Sequence, residues 1–364
     1  LLGGKFGYSH EMKRLCVLAR DLLSDPGMNH SETYKGLFAH RHHARCHFSD
    51  TVYHVISKTF QGRFLLRPCS ELNTLIAGVL GKARENYPSI RLYAYAFLSN
   101  HVHLMLQGDG GEVSAFVGFL KREISRRWGP QVDWPGTMWE EFLSTALPSE
   151  QEQVACLRYI LSQGVKEGLV ERPEEWPGVH CARELLSGRP LVGEWLNATA
   201  WGRAHRREQA KTPQSRTRRV ISKEDFVSRY EVHVDPLPAW AELSEAERIE
   251  RVEEMVDDIE TEGRTRRDEG PVMGAVAIER EPLERRGNLP ALPWFENRRR
   301  RICWGHPRSP TTREYVARYW AFQHAYRKAS AAFAEGATVV PFPAGSFQPG
   351  RFQTTSGPPE RLAA

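Results

Sequence analysis

Two histidines, His101 and His103, stand two residues apart in a stretch of alternating character. On an extended strand alternate side chains share a face, so both imidazoles would point one way while Val102 and Leu104 point the other. Two imidazoles so placed can share one metal ion. The spacing alone says little, because short motifs recur by chance and the chain holds a second such pair, His40 and His42. Context separates the two. His101 and His103 lie between the apolar runs 93–98 and 104–106, where polar side chains without partners are costly. His40, His42, His43, Cys46 and His47 crowd together without the ligand spacing of a closed zinc site, and read as a solvated basic loop. A further pair is Tyr159 and Gln163, which share one face if their segment is helical. A helix tyrosine is ordinarily a packing residue. Its phenol, with a pKa of ~10, is a weak nucleophile at neutral pH.

The elements that must position these residues follow from patterning. Thr51 to Thr59 is rich in β-branched and aromatic residues and predicts a strand. Glu71 to Asn86 carries Leu72, Leu75, Ile76, Val79, Leu80 and Ala83 at helical spacing, with Ser70 as N-cap and Pro88 beyond the end. Arg91 to Phe97 and His101 to Gln107 read as strands joined by a tight hairpin. Val113 to Trp128 reads as a helix and Trp139 to Ala146 as a short strand. Ser149 and Glu152 form a capping box for a helix through Val154, Leu157, Ile160 and Leu161, ending near Gly164 or Gly168. This order predicts an α+β domain with a mostly antiparallel sheet. Upstream, Met12, Leu15, Leu18 and Leu22 suggest a packing helix. Downstream, Ser244 to Glu260 reads as a helix with its own capping box, Ser244 and Glu247, and an acidic outer face. Residues 261–311 look loop-rich, Thr312 to Glu335 reads as a last helix, and an extended tail follows Thr338.

Taken together, three blocks resemble the single-tyrosine HUH nuclease superfamily. Within it they are most similar to the REP-associated tyrosine transposases, relatives of the simplest insertion-sequence transposases. The blocks are Tyr53-His54-Val55-Ile56-Ser57, the run from Ala94 through Ser99-Asn100-His101-Val102-His103 to Met105, and the run from Leu157 through Tyr159 and Gln163 to Val170, followed by Trp176. The resemblance reaches from about Phe48 to Val179. It implies an HUH-nuclease fold of ferredoxin- or RRM-like type, with helices packed on the sheet and a helical, loop-rich C-terminal extension. It implies that His101 and His103 bind a divalent cation, Mg²⁺ or Mn²⁺, with the hard amide oxygen of Gln163 as third ligand. Tyr159 would then attack a DNA phosphate, giving a 5′-phosphotyrosine and a free 3′-hydroxyl. The metal would draw charge from the phosphate and align it for in-line displacement. The implied partner is single-stranded or hairpin DNA, such as REP-like palindromes. Family members commonly carry Asn-Pro where this chain has Gln163-Gly164; glutamine here is similar to the minimal insertion-sequence transposases.

Composition bounds the rest. The chain has 364 residues, 40% hydrophobic and 26% charged, enough apolar material for a real core. No stretch approaches the ~18 apolar residues of a membrane span, and Leu1 to Lys5 does not read as a signal peptide. Six cysteines without a Cys-x-x-Cys pair suggest a reduced, cytoplasmic protein, and the resemblance adds a bacterial, nucleoid-associated setting. Residues 201–364 carry 28 Lys/Arg against 24 Asp/Glu, so the basic excess lies mainly there. Candidate DNA contacts are Lys121, Arg122, Arg126 and Arg127 on one helix, and Arg203, Arg206 and Arg207 at the start of a basic run to Arg219. Tyr93 and Tyr95 could stack bases, but their alternation favours packing. The expected division is an N-terminal extension (1–45), a nuclease domain (46–182), a basic linker or arm (183–235), an accessory region (236–337) and a tail (338–364). The main expectation is a metal-dependent single-stranded DNA endonuclease and strand transferase. Its rivals are a non-catalytic nucleic-acid-binding regulator on the same scaffold and a metal-dependent hydrolase of another class. Monomer and homodimer are both open.

Overall fold

A computed structural model of the protein describes residues 38–40, 43–108, 110–210, 220–287, 299–337 and 339–346. In chain order the main elements are β1 (Phe38–His40), β2 (Val52–Lys58), α1 (Ser70–Asn86), β3 (Arg91–Leu98), β4 (His101–Gln107), α2 (Gly110–Trp128), β5 (Leu143–Leu147) and α3 (Glu150–Leu161). There follow α4 (Ala182–Ser187), β6 (Leu191–Leu196), α5 (Ala198–Gln209), β7 (Val227–Val232), α6 (Glu245–Arg266), α7 (Ala275–Glu279), β8 (Arg299–Arg301) and α8 (Pro310–Ala334).

The protein is α+β, built on a four-stranded antiparallel sheet in the order β3-β4-β2-β5. Ser99 and Asn100 make a two-residue turn that pairs Leu98 with His101. On the other side of β4, Lys58 opposes His101, Ile56 opposes His103 and His54 opposes Met105. Directly paired residues share a face, so His54 joins the two histidines of β4. Tyr53, Val55, Leu104 and Leu106 occupy the opposite face and are fully buried. Tyr93 and Tyr95 are buried too, their hydroxyls donating to Gln107 and Glu184, so they serve packing.

Both outer edges of this sheet are covered by later chain. Along β3, Phe97 N–H donates to Val179 O and Cys181 N–H to Tyr95 O, while Asp235 pairs with Leu92 through backbone and carboxylate. Along β5, Ala146 N–H donates to Ile302 O and Trp304 N–H to Ala146 O.

Several local expectations shift. Cys69, extended at φ −158°, caps α1 by accepting Leu72 N–H at Sγ, while Ser70 turns its hydroxyl to Glu71; the N-cap is Cys69, not Ser70. The strand expected over 139–146 is β5 alone, and Trp139 makes only an isolated bridge to Thr59. Ser149 accepts the Glu152 N–H at the start of α3. Burial of Leu157, Ile160 and Leu161 seats this helix, each contributing roughly 1.5–3 kcal/mol. Gly164 ends the turn after α3 at φ +87°, its N–H donating to Glu167 Oε2 at 2.8 Å. Proline, locked near −65°, cannot adopt that conformation.

The segment read as a basic arm holds β6, α5 and β7. The two strands pair antiparallel, and β6 crosses α1 so closely that a Cβ at Gly78 or Gly193 would overlap backbone atoms of the other element. Composition concealed this because, among the residues of these three elements, only Gly193, Trp195 and Val232 are buried. Lys211, Arg216, Arg218 and Arg219 lie outside the described residues. The His-rich loop is also not simply solvated: Cys46 and His47 are buried, and His47 Nε2 meets Ser144 Oγ at 2.9 Å.

The capping box of α6 forms as expected. Its apolar residues Val252, Val256 and Ile259 are buried as it packs on α3 and α4, and Arg172 joins Asp257 and Glu260. It thereby backs the helix that carries Tyr159. The stretch 261–311 contains the end of α6, α7 and β8. Helix α8 packs through Tyr315, Tyr319 and Phe322, and its Gln323 amide bonds both the N–H and the C=O of Ala44. The helix expected near 12–22 and the tail beyond residue 346 lie outside the described residues.

Candidate active site

The histidine face of the sheet meets α3. Tyr159, in the last turn of that helix, stands near-perpendicular to His103 and His54, its ring centre 5.5 Å and 5.8 Å from theirs. Its neighbour one turn on, Gln163, is buried and donates from Nε2 to Tyr159 O at 2.8 Å. That bond sets the orientation of the amide and leaves Oε1 for another partner. Gln163 also lies beside His101, whose ring centre is 4.8 Å from that of His103. The four residues expected at the site, His101, His103, Tyr159 and Gln163, are therefore brought together.

The hydrogen bond to Asn100 fixes the free nitrogen of His101, whereas the bond between His54 and His103 can carry its proton on either ring. His101 Nδ1 lies 2.6 Å from Asn100 Oδ1; an amide oxygen only accepts, so Nδ1 carries the proton and Nε2 keeps a lone pair. His103 Nδ1 lies 2.9 Å from His54 Nε2. With the proton on His103 Nδ1, its Nε2 is likewise a lone pair, and that atom is buried with no hydrogen-bond partner. An orphaned buried nitrogen carries a desolvation penalty of about 1–3 kcal/mol. Burial pushes the His101 and His54 pKa values down to about 3, helped by the charge of Lys166, and that of His103 well below the ordinary value. All three are neutral at pH 7, the form that binds metals.

Two imidazole nitrogens and one amide oxygen fit a small divalent cation. Such a set leaves positions open for phosphate oxygens and water. Among the described residues no group of three His, Cys, Asp or Glu side chains forms a metal centre; the third imidazole, His54, spends its Nε2 on His103, and the third donor would be Gln163.

Two more residues complete the surroundings. Lys166 places its ammonium 4.0 Å from the centre of the Tyr159 ring; its side chain is only 6% exposed and its ion pair to Glu167 is loose, at 3.6 Å. A divalent cation held there would repel a nearly buried ammonium beside it unless an anion lay between them. Trp304, delivered along the β5 edge, stands edge-on to His54 at 5.6 Å and to Tyr159 at 6.0 Å.

The expected DNA contacts divide. Arg122 and Arg126 are exposed but bond Glu123, as does Arg127, which is only 17% exposed and lies over Trp195. Lys121 donates to Glu140 O at 2.6 Å, and burial pushes its pKa down to about 8. Arg203, Arg206 and Arg207 are exposed on α5. Among these, Arg122, Arg126 and the α5 arginines offer accessible charge.

Sequence reasoning gave no role to His54, Asn100, Lys166 or Trp304. His54, Asn100 and Lys166 lie inside the three resembling blocks, and strand alternation plus a β2–β4 register would have found His54. Nothing local marks Trp304.

Comparison with known proteins gives partial likenesses. No family model matches the chain, and no curated protein sequence does. Among solved structures, a REP-associated tyrosine transposase bound to a REP hairpin is similar at 17% identity, covering 40% of this chain and 84% of that one, with a TM-score of 0.34. A candidate transposase from Deinococcus radiodurans is similar at 22% identity, covering 32% of this chain and 93% of that one, with a TM-score of 0.24. Likeness at this level carries no weight for residue roles.

Proposed function

We propose that the protein is a metal-dependent endonuclease and strand transferase acting on single-stranded or hairpin DNA, with Tyr159 as nucleophile. The observation that supports this reading best is the meeting of Tyr159 with His103 at 5.5 Å, from separate elements, beside the orphaned His103 Nε2. His101, His103 and Gln163 would hold Mg²⁺ or Mn²⁺. When bound, the cation would polarise the scissile phosphate and lower its negative charge.

The chain's own residues account for the rest. Tyr159 Oη attacks phosphorus and loses its proton to the surroundings. The bond from phosphorus to the 3′ oxygen breaks, and that oxygen takes up a proton to become a hydroxyl. One phosphodiester is exchanged for another, so rejoining to a second 3′-hydroxyl needs no external energy source. Lys166 offers positive charge to a non-bridging oxygen. Asn100 and His54 hold the imidazoles in orientation.

The test is incubation with end-labelled hairpin DNA in Mn²⁺ or EDTA. A Mn²⁺-dependent covalent adduct on the 3′-labelled fragment is expected, and Tyr159→Phe should abolish it while retaining DNA binding. Normal cleavage by Tyr159→Phe would remove Tyr159 from the role; binding without any adduct would favour a regulator.

A further inference from the structure

We propose that Trp304 is a stacking platform for the nucleobase next to the scissile phosphate. The proposal rests on the function just argued, and it gives the C-terminal part of the chain a direct substrate contact.

The backbone around Trp304 is held on every side by bonds that do not use the indole. Ile302 and Trp304 are paired to Ala146 at 3.0 and 2.8 Å. Arg301 reaches across the residue, its Nε donating to Cys303 O at 2.8 Å and its Nη2 to Gly305 O at 2.9 Å. Gly305, at φ +98°, turns the chain away immediately afterwards, where a Cβ would press on Thr312 and Glu152. Ile302 and Cys303 are buried, yet Trp304 keeps part of its surface exposed. By contrast Trp176, a core residue, is 1% exposed and spends its indole N–H on Phe97 O.

The place matters as much as the rigidity. The indole lies 6.0 Å from the Tyr159 ring, on the side of His54, whereas Lys166 covers that ring with its ammonium. A positive charge and a partly exposed aromatic ring thus flank one nucleophile. A single-stranded nucleotide needs both, because its phosphate seeks charge and its unpaired base offers a π-face that every sequence shares. Pre-ordered aromatics lose little entropy when a base lands on them.

The test uses the full chain carrying Tyr159→Phe, so that binding is read without cleavage, and a hairpin whose cleavage position has been mapped with the unmodified protein. Trp304→Ala should weaken binding about 5- to 150-fold, and Trp304→Phe much less. An abasic nucleotide beside the mapped phosphate should weaken binding to the Trp304 protein by a similar factor and cost Trp304→Ala little more. The abasic arm needs no change at Trp304, so a misfolded Trp304→Ala does not shelter the idea. The proposal is overturned if abasic substitution next to the phosphate leaves binding unchanged, or affects both proteins equally. Faster cleavage by Trp304→Ala in the Tyr159 background would also overturn it, since the indole would then be a cover. If the Trp304 protein neither binds nor cleaves any hairpin, the nuclease reading fails and takes this proposal with it.

Discussion

Asn100→Ala should loosen divalent-cation binding by about 10- to 100-fold while leaving the sheet folded. The 2.6 Å bond from His101 Nδ1 to Asn100 Oδ1 is what holds the Nε2 lone pair of His101 toward the site. Loss of such an outer partner typically weakens metal affinity by about 10- to 100-fold, or roughly 1.4–2.7 kcal/mol. The hairpin itself should survive. Its turn is held by the backbone carbonyl of residue 100, which takes the Thr59 N–H at 2.9 Å and the Thr59 hydroxyl at 3.0 Å and is present in any variant. The Asn100 side chain adds only a 3.4 Å contact to Gly62 O, too long to contribute much. Asn100→Asp keeps the acceptor and adds a charge, and should bind as tightly as the unmodified protein or more so. Titration of Mn²⁺ followed by electron paramagnetic resonance gives the affinities, with thermal unfolding recorded alongside. If Asn100→Ala binds Mn²⁺ as well as the unmodified protein, His101 is not a ligand oriented through Asn100. A fall in folding stability that matches the loss of binding would equally refute the separation of roles argued here.

Other outcomes follow from the same geometry. Lys166→Met should slow adduct formation more than it weakens binding, and should reduce the slope of log affinity against log salt by about 0.7, one single-strand phosphate contact; an unchanged slope would leave Lys166 a purely internal partner of Glu167. Gly164→Ala must enter the left-handed region and press on Trp176 and Val170 at 3.3 Å, so denaturant unfolding should show a loss of about 1–2 kcal/mol, with Gly164→Pro worse. His180, pushed down to about 4 by burial, accepts the Ala182 N–H at Nδ1. Its unfolded form takes a proton below pH ~6.5 and its folded form resists, so its stabilisation is present above that pH and is lost as pH falls toward 4. His180→Gln should therefore flatten the stability profile in that window by up to about 1.4 kcal/mol per pH unit, measured by urea unfolding at several pH values.

Much of the frame could be read from local pattern. Alternation in 101–107 placed His101 and His103 on one face, and the four-residue spacing placed Tyr159 over Gln163, because both periods are properties of a single element. The α+β class followed from the order of those elements. What escaped depends on distant pairing. His54 belongs with the β4 histidines only through the β2–β4 register, a contact across 49 residues. Trp304 reaches Tyr159 through a backbone pairing with Ala146 that no periodicity announces. The β6–β7 pair was hidden because glycine, not an apolar stripe, lets it lie against α1. The cap of α1 was missed because a thiol, a weak acceptor, took the place that serine would usually hold.

The closure of both sheet edges by later segments bears on how the chain is made. All four strands have been synthesised by residue 147, but the covering residues 302–304 come about 150 residues later. At ~5–20 residues per second that interval is on the order of 10–30 s. Throughout it the nascent β5 presents unpaired backbone groups, the template on which strands of separate chains join. Chains ending between these points should be the ones that self-associate, and restoring residues 299–304 to them should suppress it. In the finished protein residues 302–304 occupy this edge at Ala146, so two copies cannot extend one sheet into the other at that point.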